Sequence, residues 1–332
     1  MHRIALLVKS YRKDYDYVVR LLASIACHNR DAVPVFIVVP AEDVVLFTGL
    51  ATSGVDVLSE ELLETHLVRE PMAGLSAGYL NQEIVKLAFW ELGLAENYLC
   101  VDSDAEFVRD FFTTDFMATA DTPFTFMTED AELQCEPEYY EQTWLPRLAK
   151  LENVRKAIGY TGPWLRTVHG HAVFSSVALQ DFVSDFLQPR GWDYKDALEV
   201  CPYEPTWYTT WVLHARPIQV YPREPVFKTF HNSGQHLDYV LRGVSEEDIA
   251  RGFVGVVVNS NYSRGEGVVP LDLQRYEALA SYVTVPTLLK AMAFRAWDIV
   301  AVKKTPWKRA RMSAGRAALR VPGLRAMVDQ GD

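Results

Sequence analysis

The chain of 332 residues holds no uninterrupted apolar run of about eighteen residues, the length a helix needs to cross a bilayer. Its first segment, MHRIALLVKSYRKDYDY, turns polar too soon for a secretory signal. Neither a membrane-spanning nor an exported chain is expected. Cysteine is sparse: Cys27, Cys100, Cys135 and Cys201 lie far apart, with no CxxC pair and no histidine at zinc spacing. A disulfide framework and a zinc site are therefore not expected, and a reducing cytoplasm is the natural location. Positive charge is also short. Thirty-three Lys and Arg against 43 Asp and Glu leave a net charge of −10, which argues against a nucleic-acid partner held by a broad positive field.

What is present is a 49% hydrophobic content, that of an ordinary soluble globular protein, and an alternation of strand-like and helix-like segments. IALLVKS reads as a short strand. DYDYVVRLLASIACHN sets Tyr17, Val18, Leu21, Leu22 and Ile25 at helical spacing, and VPVFIVVP reads as a strand apolar on both faces. AEDVVLFTGL predicts a helix, VDVLS a strand, and AGYLNQEIVKLAFWELGL an amphipathic helix with Leu80, Ile84, Leu87 and Ala88 on one face. YLCV is a further strand. This order predicts an α/β fold, a mostly parallel sheet flanked by helices, with ligands bound beyond the carboxyl ends of its strands. The KSYRKD turn and the DSD turn that follows YLCV should then open onto one crevice. TPFTFM is expected to add a strand, and YYEQTWLPRLAKLENVRKAIGY a helix with Pro146 as an interior irregularity. YEPTWYTTWVLHA reads as an aromatic helix, and PIQVYP, PVFKTFHN and GFVGVVVNSNYSR as late strands.

The strand end VDSD places Asp102 and Asp104 at i and i+2. Hard divalent cations take oxygen ligands, and Mg²⁺ or Mn²⁺ is commonly held by one or two carboxylates plus substrate phosphates. A solvated turn with an Asp cap gives the same four letters. The context favours the first reading. With a βαβ unit upstream, Gln82 and Lys86 on the helix before DSD, SYRKDYDYVVRLLASI at the first strand–helix turn and VNSNYSR late in the chain, the sequence resembles the GT-A nucleotide-sugar glycosyltransferases over most of residues 3 to 265.

That resemblance implies a GT-A, Rossmann-like fold: a catalytic domain over residues 1–285, with a nucleotide half to about 130 and an acceptor half beyond it. It implies Mn²⁺ or Mg²⁺ at Asp102 and Asp104, completed by His231, with Asp104 touching the ion directly and Asp102 the ribose or a bridging water. Lys9, Ser10, Tyr11, Arg12 and Ser103 would border the nucleotide. Gln82 and Lys86, one helical turn apart, would reach the base or the diphosphate, and Lys228 would touch the diphosphate. His169, Gly170 and His171 would lie beside the donor sugar and the acceptor, while Trp207 and Tyr208 offer sugar rings an apolar face or fill the core. Glu204 is the candidate general base of an inverting transfer, or else a helix cap. Partners implied are a nucleotide-sugar donor and a glycan or lipid-linked acceptor, with a role in bacterial surface or capsular polysaccharide synthesis. A sugar nucleotidyltransferase would want a glycine-rich loop after the first strand, and KSYRKDYD has no glycine. A non-catalytic glycan- or membrane-binding module on the same fold is the other alternative.

From residue 286 to 332 the charge reverses: Lys290, Arg295, Lys303, Lys304, Lys308, Arg309, Arg311, Arg316, Arg320 and Arg325 face only Asp298, Asp329 and Asp332. Interleaved with Phe294, Trp297 and Trp307, they read as a basic amphipathic tail. It would hold a cytoplasmic enzyme peripherally on the inner face of the cell membrane, or pack back on the acidic body. Deletion after Val285 is expected to abolish binding to anionic liposomes in a sedimentation assay while the remaining chain stays folded; unchanged binding rejects the anchor.

Overall fold

The computed structural model describes residues 1–136, 139–163, 171–231, 235, 236, 239 and 244–258. The basic tail and the VNSNYSR residues after Val258 lie outside the described residues, as do His169 and Gly170. The chain divides into two compact units, Met1–Asn232 with Glu247–Val268, and Ser233–Glu246 with Val269–Asp332. The two sheets and the cleft belong to the first.

A five-stranded sheet organises that unit. Its strands are β1 (Ala5–Lys9), β2 (Val35–Val39), β3 (Val55–Ser59), β4 (Asn97–Cys100) and, much later in the chain, Val173–Ser175, in the order β3-β2-β1-β4-(Val173–Ser175). The first four are parallel, with Leu6 opposite Val35 and Leu99, while Val173–Ser175 runs antiparallel to β4. Every residue of β1 and β2 is buried, as their unbroken apolar runs predict, whereas β3 at the edge is half exposed.

Alternation along the strands sends side chains to two cores. On one face Ala5, Leu7, Phe36, Val38, Tyr98 and Cys100 meet Leu80, Ile84, Leu87 and Ala88. On the other, Leu6, Val8, Val35, Ile37 and Leu99 meet Val18, Leu21 and Ile25. The second set belongs to helix α1 (Tyr15–His28). After the short α2 (Val44–Phe47), helix α3 (Ala77–Ala88) supplies the first set. It starts at Ser76, whose hydroxyl accepts from the Tyr79 N–H at 3.2 Å.

Beyond β4 the chain turns through Asp102–Asp104, closed by the Ala105 N–H donating to the Asp102 carbonyl at 3.0 Å. It then enters a second, three-stranded sheet as β5 (Ala105–Phe107). The DSD turn is therefore the junction between two sheets. TPFTFM contributes only the two-residue β6 (Thr125–Phe126), outside the main sheet. Helix α4 (Ala131–Gln134) and a π-helical turn at Tyr140–Trp144 lead into α5 (Leu145–Ile158). Pro146 is the expected interior irregularity: the π-helical turn Tyr140–Trp144 runs directly into α5, and the residue without an N–H stands where the one gives way to the other.

Strand β7 (Val173–Ser175) is followed by α6 (Ser176–Asp181), α7 (Tyr194–Val200) and α8 (Glu204–Ala215). Of PIQVYP only Pro222 is in a strand, β8 (Pro222–Arg223), which pairs with β6. Strands β9 (Phe227–Phe230) and β10 (Gly255–Val258) complete the three-stranded sheet in the order β5-β10-β9. Gly255 is required there, since a Cβ would lie 2.7 Å from the Glu106 carbonyl oxygen.

The aromatic residues of α8 settle into the core and do not face a ligand. Trp207 is fully buried and donates its indole N–H to the Cys201 carbonyl at 2.8 Å. Tyr208 stacks on Phe174, and its hydroxyl accepts the Ser175 N–H of β7 at 2.9 Å. The expectation that Trp207 and Tyr208 offer their faces to sugar rings is corrected accordingly: large rings bury much apolar surface in the core, and each polar tip has found a backbone partner there. Tyr208→Phe is expected to cost about 1–3 kcal/mol, because it strands a buried backbone donor. Equilibrium denaturation measures it, and an unchanged midpoint would refute the core role.

Candidate functional site

At the carboxyl ends of β1 to β4 a cleft of about 710 Å³ opens. The segment after β1 and the DSD turn line it together, as a parallel sheet requires. Lys9, Ser10, Tyr11 and Arg12 form one wall with Asp43 and Glu60; Asp102, Ser103 and Asp104 form another; Tyr79, Gln82, Glu83 and Lys86 of α3 and Tyr203 and Glu204 at the start of α8 form the rest.

Two of the cations expected to border the nucleotide are already engaged. Lys9 Nζ lies 2.8 Å from Glu60 Oε2, both groups nearly enclosed, and donates to the Ser10 carbonyl at 3.1 Å. Arg12 Nε lies 2.6 Å from Asp43 Oδ1, and the Arg12 backbone N–H donates to Asp43 Oδ2 at 2.8 Å. These pairs shape the first βα turn. A paired cation retains little net field for a diphosphate.

Lys86 is the centre of the cleft. Its ammonium lies 3.3 Å from Asp102 Oδ1 and 3.1 Å from Glu204 Oε1, and its side chain is only 5% exposed. Burial alone would lower its pKa, but Asp102, Glu204 and Glu83 more than offset that and hold it charged. Burial would likewise raise the Asp102 pKa, yet Lys86 and His171 bring it below the usual carboxylate range. Glu83, one turn before Lys86 on α3, goes the other way. Burial and then the neighbouring Glu204 carboxyl push its pKa well above normal, so it favours the protonated acid and a hydrogen bond toward Glu204.

Helix α3 turns Gln82, Glu83 and Lys86 toward the cleft, and its Asn81, Glu83 and Lys86 are buried. The Tyr79 hydroxyl, donating to the Pro202 carbonyl at 3.3 Å, ties the helix to the segment that leads into α8. Glu204 opens α8 ahead of Pro205, and its carboxyl turns toward Lys86.

His171 is buried just before β7. Its Nε2 accepts the Asp102 backbone N–H at 3.3 Å and lies 4.0 Å from Asp102 Oδ2, and its ring packs against Phe227. His171 thus holds the DSD turn from behind and does not line the cleft. His231 sits beside the Tyr139 ring, with centroids 4.9 Å apart, and Lys228 lies over Phe230; neither lines the cleft. Among the described residues no three His, Cys, Asp or Glu come together as a metal cage. Two wall carboxylates, with Asp102 kept ionised by its neighbours, suit a hard divalent cation whose remaining ligands come from a substrate.

Sequence reasoning missed Glu83, Asp43 and Glu60. The Glu83–Lys86 spacing of i, i+3 was legible, but nothing in it signals a carboxyl arriving from Glu204. Because the folded-state pKa of Glu83 lies above the ordinary value, the folded protein binds that proton more tightly than the unfolded chain. Stability must then fall as pH rises through the interval between the two values. Glu83→Gln, a neutral isostere, is expected to remove this loss: melting curves from pH 5 to 8 should show the variant gaining on the parent toward pH 8. Parallel curves would contradict it.

Comparison with known proteins follows this geometry. No curated protein matches the sequence. Among solved structures, the chain is similar to the galactosyltransferase LgtC in complex with donor and acceptor sugar analogs, at 12% identity over 86% of this chain and 99% of that one, with a TM-score of 0.47. It is also similar to mouse xyloside xylosyltransferase 1 in its apo form, at 9% identity over 78% and 98% of the two chains, with a TM-score of 0.42. Likeness at this level says nothing by itself about what the chain does. A family model described as a family of unknown function, DUF6492, matches residues 4–239. The chain accordingly belongs to the DUF6492 family.

Proposed function

We propose that this chain is a glycosyltransferase that moves a sugar from a nucleotide-sugar donor to a glycan or lipid-linked acceptor. The observation that carries the reading is Lys86, which draws Asp102 from the end of β4 and Glu204 from the start of α8 into one cleft at the carboxyl edge of a parallel sheet. The resemblance of SYRKDYDYVVRLLASI and the DSD turn to the GT-A enzymes points the same way, as does the wall of the cleft that carries Ser10, Tyr11 and Gln82. A role in bacterial surface or capsular polysaccharide assembly belongs to this proposal, as does a peripheral membrane location through the basic tail.

The chemistry assigned to the residues is an inverting displacement. Glu204 accepts the proton of the acceptor hydroxyl as that oxygen bonds to the anomeric carbon; the bond from that carbon to the diphosphate oxygen breaks, and its electron pair leaves with the nucleoside diphosphate. Lys86 fixes the direction of the Glu204 and Asp102 carboxylates. Glu83, protonated, donates toward Glu204 and keeps its carboxyl from turning away. His171 anchors the DSD turn through the Asp102 N–H. A divalent cation held by Asp102 and Asp104 would supply neutralisation of charge on the departing diphosphate.

The full chain is tested with UDP-, GDP- and CMP-sugars and Mn²⁺, scored for a rise in melting temperature and for slow donor hydrolysis. One donor is expected to raise the melt, and Asp102→Ala to abolish that rise. Glu204→Gln should keep the rise while cutting turnover about a hundredfold. If no nucleotide sugar, with or without metal, moves the melt, the reading fails. A melt shift without any turnover in the parent protein would identify a binding module instead.

A further inference from the structure

Three cations of the cleft lining are paired with carboxylates: Lys9 with Glu60, Arg12 with Asp43, and Lys86 with Asp102 and Glu204, while Lys13 is exposed. The rim beside Glu204 is different. Arg147 and Lys150 stand three residues apart on α5, hence on one face of the helix. Both lie over the ring of Tyr203, the residue before Glu204, with the guanidinium carbon 5.1 Å and the ammonium nitrogen 5.7 Å from its centroid. Among the described residues neither forms an ion pair. All three side chains are half-buried, and Arg147 and Tyr203 line the cleft.

In a chain of net charge −10, two cations gathered on one ring at the mouth of an acid-lined cleft, in no ion pair among the described residues, are positive charge at a fixed place. The aromatic face orients both heads without consuming their hydrogen-bond donors. Those donors remain for a ligand's carboxylate or phosphate, which guanidinium groups recognise through paired N–H bonds.

We infer that Arg147, Lys150 and Tyr203 form an anion-binding subsite at the rim of the cleft, and that the ligand entering over Glu204 is a sugar bearing a carboxylate or phosphate group. Its part as acceptor rests on the glycosyltransferase reading; the binding itself does not. An anion seated on this rim brings the neighbouring sugar ring to the side of the cleft where Glu204 opens α8. The same chemistry has a second source, the diphosphate of the donor.

The two sources separate in one titration series. The full chain and Arg147→Gln/Lys150→Gln are titrated calorimetrically with methyl β-D-glucuronide, methyl β-D-glucoside, glucose 6-phosphate, UDP, GDP and CMP, after melts confirm that the variant is folded. The parent is expected to bind the glucuronide or the phosphosugar about tenfold or more tightly than the glucoside, a preference that shrinks with added salt and disappears in the double variant. The nucleotides should bind both proteins alike. A nucleotide affinity that falls about tenfold in the variant, with no preference among the sugars, would overturn the acceptor assignment and give the subsite to the donor. No preference for charged sugars and no change for nucleotides would overturn the subsite altogether. Retained preference for charged sugars with no nucleotide binding would uphold the subsite while removing the donor on which the proposed function depends.

Discussion

Lys86 is an ammonium with almost no access to water, and the geometry of the cleft depends on it. Taking such a charge out of solvent is costly unless carboxylates meet it, and here two do, from segments more than a hundred residues apart. With the cation in place, Asp102 remains ionised although half-buried, and Glu204 is turned inward at the first residue of α8. Glu83 completes the group by remaining protonated, so three carboxyls and one lysine coexist without the repulsion that three carboxylates would bring.

This arrangement explains why a strand as apolar as β4 ends in two aspartates. The turn belongs to neither sheet. It carries the chain from the five-stranded sheet into the three-stranded one, and its carboxyl edge is where parallel strands leave room for a ligand. His171 supports it from the buried side and Lys86 from the cleft side. The two aspartates thereby acquire different surroundings: Asp102 is held by the Lys86 ammonium and by His171, while Asp104 stands further along the wall.

Charge is also distributed with a direction. Lys9, Arg12 and Lys86 of the cleft lining are each matched by an acid, which stiffens the site but leaves little field; on the rim Arg147 and Lys150 lie over an aromatic face and form no ion pair among the described residues. In an acidic protein such a rim attracts anions at that place.

The strands of the main sheet, the helix from Tyr15 to His28 and the helix that carries Gln82 and Lys86 were legible because burial imposes its period on local sequence. The shared crevice of KSYRKD and DSD followed from the parallel order alone. Other features were not local. Trp207 and Tyr208 could serve either a sugar or the core until the packing of α8 against Phe174 and Cys201 decided for the core. Glu83 went unread, and the partner of Lys86 on α8 with it, because nothing in the local sequence reveals that the start of α8 meets this helix. By itself the sequence determined the α/β order, the acidic turn at a strand end and the candidates at the first βα turn, all properties of hydrophobic periodicity and of residue type at a strand's end. Only the tertiary structure decided which charges meet, since an ion pair between residues 86 and 204 depends on chain segments brought together by packing, and packing distance is not written in sequence distance.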